Sequence, residues 1–209
     1  MQGACVALEL ASRQIQVDLY EQLPTCVAAA SAQNEGKIHL GYLFALDTSM
    51  RSASAMARGA LSFHPLMQRW TGAGIDRVPV STPYVYAVHR DSMVEVDILQ
   101  SFYLKVHELH GEMRRQMGSR YFSAMLDEPP RRLGKGESEA FDPALIKAAF
   151  LTNEIAVDAE ALAEVVRLAL TANDNIRINC STRVLAVKEK DRGLVVESIG
   201  PAGPRHEPL

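Results

Sequence analysis

The sequence has few of the features that mark membrane, secreted or nucleic-acid-binding proteins. Its three cysteines, Cys5, Cys26 and Cys180, form no Cys-x-x-Cys pair, which favours buried, reduced thiols over a disulfide framework. A formal net charge of −3 gives no basic field for nucleic acid. No apolar run is long enough to cross a bilayer, so we expect no transmembrane segment, no signal peptide and a cytoplasmic location.

Several catalytic motifs are also absent from the 209 residues. There is neither a Gly-x-Ser-x-Gly nucleophile elbow nor a Gly-x-x-x-x-Gly-Lys phosphate loop. His107 and His110 stand three positions apart rather than four, so we interpret them as part of a solvated helix face and predict no metal site. Apolar residues make up 47% of the chain, which is typical of a globular protein of one domain or of one domain with an insertion.

The first 21 residues follow the order helix, strand, acidic residue. An apolar helical stretch begins after Gly3, and alternation from Ile15 to Tyr20 predicts a strand that ends at Glu21. In dinucleotide-binding folds a third glycine opens such a helix, and a carboxylate about 20 positions later binds the ribose. The first two glycines and their strand would lie before Met1. The alternative is that Gly3 and Glu21 merely bound an ordinary helix and strand.

The stretch from Gly36 to Gly41 is the most distinctive segment of the sequence. Its two glycines bracket Lys37-Ile38-His39-Leu40, and they would let the backbone approach a bulky, flat ligand without a Cβ in the way. For His39, the alternative to a ligand contact is a histidine that is hydrogen-bonded within a turn.

Residues 3–21 and 30–41 together resemble the FAD-dependent oxidoreductases of the D-amino-acid-oxidase superfamily. That superfamily includes glycine oxidases, glycerol-3-phosphate dehydrogenases and 2-hydroxyglutarate oxidoreductases. The resemblance implies FAD as cofactor, with the adenosine diphosphate half contacted by Gly3 and Glu21. It implies that the flavin half is contacted by Ser31, Asn34, Gly36, Ile38 and His39. Further along the chain, the backbone of Val184 would bracket the adenine.

The fold implied is of the mixed α/β (α+β) class. It is a partial Rossmann-like FAD-binding domain that lacks its first strand and carries an inserted part of a substrate domain. The expected boundaries are 1–75 for the first part of the FAD-binding domain, 76–153 for the insertion, 154–199 for the return segment and 200–209 for a flexible tail.

Sequence patterns predict most of the remaining elements. Helices are expected from Asp47 or Thr48 to Leu61, from Pro65 to Trp70, from Val96 to Met117 and after Asp158. Strands are expected between Val78 and Arg90, at a sheet edge, and in a hairpin from Thr182 to Ile199. Asp142–Phe150 fits either a helix or a strand. Tyr84, Tyr86, His89 and Tyr103 are the candidates to line a substrate pocket.

The resemblance implies hydride transfer to flavin from a carbon that bears an amine or a hydroxyl group, in a small amino or hydroxy acid. The residues themselves identify no general base, so the catalytic residues are unknown. The alternative is a catalytically silent fragment or remnant of such an enzyme. An unpaired sheet edge beside Ile15–Leu19 would then be able to associate with another chain.

Overall fold

The computed structural model describes residues 1–118, 121–122, 124–190 and 193–208. Its α-helices are α1 (Gln2–Ala11), α2 (Arg51–Thr71), α3 (Val96–Met117) and α4 (Ala159–Thr171). Its strands are β1 (Val17–Tyr20), β2 (Lys37–Ile38), β3 (Val85–His89), β4 (Arg131–Arg132), β5 (Ile146–Leu151), β6 (Ile155–Ala156), β7 (Ile176–Asn179), β8 (Arg183–Lys190), β9 (Gly193–Gly200) and β10 (Gly203–Pro208). Among the described residues, none of the helices is both long and apolar enough to cross a membrane.

The chain divides into two compact units. The first unit comprises Met1–Asn34, Arg69–Val78 and Ala159–Leu209, and the second comprises Glu35–Gln68 and Pro79–Asp158. The unit boundaries fall at other positions than the domain boundaries expected from the sequence. The assignment of segments to an FAD-binding and a substrate domain therefore stays a prediction.

The first unit is built on a parallel pair of strands, β1 and β7, in which Val17 lies opposite Ile176 and Tyr20 opposite Asn179. The buried residues of α1 and α4 repeat at helical spacing, so each helix has one apolar face. On α1 these are Ala4, Ala7, Leu8 and Ala11, and on α4 they include Leu162, Ala163, Val166 and Leu170. Helix followed by parallel strand is the arrangement that the first 21 residues predict.

Strands β8, β9 and β10 form an antiparallel sheet in the first unit. The β8–β9 hairpin confirms the prediction, although residues 191–192 of its turn lie outside the described residues. The prediction of a flexible tail is wrong for residues 203–208, because this segment pairs with β9 along its whole length. Gly203, at φ +97°, leads into the strand, and β10 is an edge strand, where proline is tolerated.

The second unit contains two small sheets, β3-β5-β4 and β2-β6, all antiparallel. β3 is an edge strand of its sheet, as predicted, and β5 resolves the ambiguity at 142–150 in favour of a strand. The two predicted helices around Pro65 are one helix, α2. Its buried positions, Ala53, Ala57, Ala60, Leu61, His64 and Met67, continue across Pro65, so packing outweighs the lost backbone hydrogen bond.

His110 on α3 corrects the interpretation of a solvated helix face. Its side chain is fully buried, and its Nε2 lies 2.7 Å from the backbone oxygen of Leu40. Burial lowers the pKa of His110 to about 4, an effect only partly offset by the Leu40 carbonyl. The neutral ring therefore donates Nε2–H to Leu40 and ties α3 to the segment after β2.

This lowered pKa predicts that the second unit loses stability in acid. The unfolded histidine takes up a proton below about pH 6.5, whereas the folded one does so only near pH 4. Between these values the unfolded state binds more protons, so stability should fall by about 3 kcal/mol as the pH drops through that window. Urea unfolding at a series of pH values would measure this loss. The His110→Gln variant should show a shallower slope, and equal slopes would contradict the assignment.

Candidate functional site

Glu21 lies directly after β1, at the carboxyl end of the parallel strand pair. Its backbone continues the ladder, since its N–H donates to Asn179 O at 3.0 Å and its carbonyl accepts from Thr182 N at 2.8 Å. The carboxylate accepts from Leu23 N at 2.8 Å and lines a groove together with Thr182 and Val184. Ligands of α/β sheets bind outside the carboxyl ends of the strands, which is where this groove lies.

Ser31 and Asn34 lie close to the start of α1. The backbone amine of Met1 donates to Ser31 Oγ at 2.9 Å, and Met1 is the N-cap of the helix. Asn34 Nδ2 donates to Ala30 O and Ser31 O at 2.9 and 3.2 Å, so this side chain closes the short 3-10 turn at Ala29–Ser31. The amino group at the start of α1 therefore lies against the Ser31 hydroxyl.

The loop between Glu21 and Ser31 contains backbone strain that the sequence does not reveal. Val27 and Ala29 have φ values of +54° and +50°, a left-handed conformation that costs a β-branched residue most. Arg167 Nη1 on α4 donates to Val27 O at 3.4 Å, and the same guanidinium is paired with Glu160 and Glu164. Strained loops held by such contacts are typical of ligand sites.

The glycines of the Gly36–Gly41 segment are required by the protein's own backbone. At Gly36, φ is +61° and a Cβ would lie 1.9 Å from Val157 O. At Gly41, φ is +105° and a Cβ would lie 2.8 Å from the Cα of Ala53 in α2. The sequence suggested that a ligand lies close to these glycines. In the structure the close neighbours are Val157, which follows β6, at Gly36 and Ala53 of α2 at Gly41.

Glu154 holds the Gly36–Gly41 segment in place through a hydrogen bond to its backbone. It is fully buried, and its Oε1 accepts from Leu40 N at 2.6 Å. Its Oε2 accepts from the Tyr86 hydroxyl, and burial together with this carboxylate raises the Tyr86 pKa, so Tyr86 stays protonated as the donor. Leu40 is thereby held through both backbone groups, by Glu154 at the amide and by His110 at the carbonyl.

Lys37 and His39 both lie beside the carboxylate of Glu154. Lys37 Nζ donates to the Tyr86 hydroxyl at 2.8 Å, lies 3.4 Å from Glu154 Oε2 and packs over the rings of Tyr84 and Tyr86. His39 Nδ1 lies 3.7 Å from the same carboxylate oxygen, and its side chain is 32% exposed. The buried carboxylate of Glu154 therefore has the Lys37 ammonium group beside it, and the His39 ring lies slightly further away.

The family model described as FAD dependent oxidoreductase matches residues 1–205. The chain belongs to this FAD dependent oxidoreductase family. FAD is the cofactor of the family, as the sequence resemblance indicated. No curated protein matches the sequence.

Solved structures of amino acid and glycerophosphate oxidases share the fold. Glycine oxidase from Geobacillus kaustophilus matches with a TM-score of 0.62 at 18% identity, over 97% of this chain and 50% of its own. Iminodiacetate oxidase from Chelativorans sp. BNC1 matches with a TM-score of 0.59 at 19% identity, over 99% of this chain and 50% of its own. L-alpha-glycerophosphate oxidase from Mycoplasma pneumoniae, with FAD bound, matches with a TM-score of 0.53 at 18% identity, over 96% of this chain and 48% of its own. The chain spans about half the length of these oxidoreductases.

Within the first unit, two groups of predicted residues come together. Glu21 and Val184 line one groove, and Ser31 and Asn34 flank the start of α1 near Gly3. A Cβ at Gly3 would lie 4.0 Å from Leu19 in β1, an ordinary van der Waals contact, so the helix lies close to the strand without requiring glycine.

Within the second unit, Gly36, Ile38 and His39 share the segment that Glu154 holds. Ile38 O accepts from the Tyr121 hydroxyl at 3.2 Å. Sequence reasoning missed Glu154, although a signal was present. It is a carboxylate between two runs rich in apolar residues, 148–151 and 155–157, and such an acid is buried only with partners.

Replacing Gly36 by alanine should destabilise the second unit severely. The left-handed backbone costs about 1 kcal/mol for any Cβ, and the contact with Val157 O adds a steric cost, for about 3 kcal/mol in total. Gly118→Ala is the matched control, because Gly118 has φ +59° and no atom of the described residues lies within 4 Å of the added Cβ. For Gly118→Ala, urea unfolding should show a loss of about 1 kcal/mol in the free energy of unfolding. Equal losses in the two variants would contradict the steric argument.

Glu154→Gln should lower the free energy of unfolding by about 3 kcal/mol, because the neutral amide leaves Lys37 without its buried counter-charge. Glu164→Gln on α4 is the control. It makes the same change in an exposed ion pair with Arg167, so the expected effect is below about 1 kcal/mol. In a Lys37→Met background the cost of Glu154→Gln should shrink. Additive effects of the two changes would rule out the coupling.

Proposed function

We propose that this chain forms the FAD-holding part of an oxidoreductase that oxidises a C–N or C–O bond of a small amino or hydroxy acid by hydride transfer to flavin. The observation that carries the proposal is the position of Glu21. Its carboxylate lies at the carboxyl end of a parallel strand pair and shares a groove with Val184. That position suits the recognition of ribose hydroxyls.

The described residues fit the adenosine half of FAD. A carboxylate accepts hydrogen bonds from two neighbouring sugar hydroxyls, and Glu21 is partly exposed on the groove. Val184 lines the same groove, and its backbone is the proposed contact for the adenine ring. The start of α1 provides backbone N–H groups and a positive dipole end for a diphosphate, and Ser31 adds a hydroxyl there.

The segment from Gly36 to Gly41 supplies the proposed flavin contacts. When bound, FAD supplies the acceptor for the hydride and so the redox chemistry of the reaction. Glu154 and His110 fix Leu40, and so hold the backbone around Ile38 and His39 in one conformation. A rigid segment orients a flat ring at low entropic cost. His39, partly exposed beside Glu154, is the residue proposed to tune the polarity around that ring.

The second unit also contains a groove suited to a small substrate. Three of the four residues proposed from the sequence, Tyr86, His89 and Tyr103, line it together with apolar side chains. Burial raises the pKa of Tyr103 to about 12, with Glu154 adding to the effect, so this hydroxyl stays a hydrogen-bond donor at neutral pH. Such donors suit the carboxylate of an amino or hydroxy acid.

An absorbance spectrum of the purified chain, before and after FAD is added and the excess removed, tests the proposal. Bands near about 370 and 450 nm would show a bound oxidised flavin. Amino and hydroxy acids can then be screened without oxygen for bleaching of the longer-wavelength band. A protein that stays colourless would favour the alternative, a catalytically silent remnant.

The role of Glu21 has its own test. Glu21→Gln keeps the size of the side chain but removes the charge that strengthens two sugar contacts, so the dissociation constant for FAD should rise about 10- to 100-fold. Asp18→Asn is the control, since Asp18 lies on the same strand and pairs with Arg177. Titration by flavin fluorescence should give the control an unchanged affinity. Equal losses in both variants would count against a direct contact.

A further inference from the structure

Two cysteines that are distant in sequence lie side by side in the first unit. Cys26 and Cys180 are 154 positions apart, yet their sulfur atoms are 3.5 Å from each other. Cys26 is 6% exposed and Cys180 is partly exposed. The third cysteine, Cys5, lies on α1. A sulfur–sulfur bond is about 2.05 Å long, so about 1.5 Å of approach separates this contact from a covalent bond.

The backbone holds the two thiols in this arrangement. Cys26 lies in the loop that follows Glu21, and Cys180 follows β7 directly. Ser181 N donates to Leu23 O at 2.9 Å, which joins the two loops next to the cysteines. Each cysteine precedes a residue in the left-handed conformation, Val27 at φ +54° and Ser181 at φ +51°. Both sulfurs therefore lie in irregular segments, where side-chain rotation and small loop shifts can close the remaining distance.

We propose that Cys26 and Cys180 are a redox-active pair that forms a reversible disulfide when the reduced protein meets a hydroperoxide. The sequence predicts buried, reduced thiols and does not identify this pair, because only the fold brings the two residues together. The bond would fix the loop that follows Glu21 to the end of β7, beside the proposed ribose groove.

The chemistry balances in two steps. The Cys180 sulfur attacks the peroxide, so that the O–O bond breaks, an S–O bond forms and one water leaves. The Cys26 sulfur then attacks the sulfenic acid at Cys180, so that the S–S bond forms and a second water leaves. Two thiols are oxidised and one hydrogen peroxide is reduced to two waters.

The order of the two steps follows from the surroundings of each thiol. Burial, reinforced by Cys180 and Glu21, raises the pKa of the Cys26 thiol, so it holds little thiolate at neutral pH. Cys180 is the more exposed of the two and meets the oxidant first. Cys26 is the resolving thiol, already in contact with the sulfur that it attacks.

The folded wild-type protein is treated with hydrogen peroxide, and its thiols are then titrated in denaturant beside those of an untreated sample. The test uses no flavin, so its outcome is independent of the proposed function. Titratable thiols should fall from the three cysteines to one, the intact mass should drop by two hydrogen atoms, and a reductant should reverse both changes. Because the bond closes a loop of over 150 residues, the oxidised monomer should unfold at least about 4 °C higher. Three remaining thiols, or a disulfide between two chains, would overturn the proposal.

Serine variants in a Cys5→Ser background test the order of attack. With Cys26→Ser, peroxide should leave a sulfenic acid on Cys180 that dimedone traps. With Cys180→Ser, Cys26 should react at least about 10-fold more slowly, because it is buried and protonated. The Cys5→Ser protein itself is the control and should form the disulfide as the wild type does. Faster labelling of Cys26 than of Cys180 would reverse the assignment of the two roles.

Discussion

The buried carboxylate of Glu154 is the constraint on which the second unit depends. Removing such a charge from water costs several kcal/mol, and only close partners can offset that cost. Here the partners are Leu40 N, the Tyr86 hydroxyl and Lys37. Because all three lie on other segments of the chain, satisfying one charge fixes the positions of several. The conformation of the Gly36–Gly41 segment follows from this requirement as much as from its own sequence.

Glycine at positions 36 and 41 is the second part of the same arrangement. Leu40 N can reach Glu154 only if the segment lies close to β6 and α2, and at both glycines a Cβ would collide with backbone atoms there. The sequence analysis correctly singled out these glycines but assigned the close approach to a ligand. A glycine pair shows that something lies near the backbone, whereas only coordinates show whether it is protein or cofactor.

The elements that the sequence predicts well are those specified by local information. The helices α1, α3 and α4 have their apolar residues at helical spacing, and the sequence of β1 alternates Val17 and Leu19 with Asp18 and Tyr20. Family membership and the cofactor of the family were likewise recognisable from contiguous residues. Glu154 was not, because its bond to Leu40 spans 114 positions. The continuity of α2 through Pro65 and the strand at 203–208 were missed for a similar reason, since tertiary packing and strand pairing overrode local composition.

Glu21 and Glu154 show how the same side chain can serve opposite purposes. Glu154 is enclosed, and its two oxygens are engaged by backbone and hydroxyl donors of the protein. Glu21 is partly exposed and accepts from a neighbouring backbone amide, with its carboxylate on an open groove. An acid whose acceptor capacity is used internally stabilises the fold, whereas one that faces a groove can bind a ligand. This difference in surroundings supports the sugar contact that we propose for Glu21, which its spacing after Gly3 first indicated, and it gives Glu154 a positioning role.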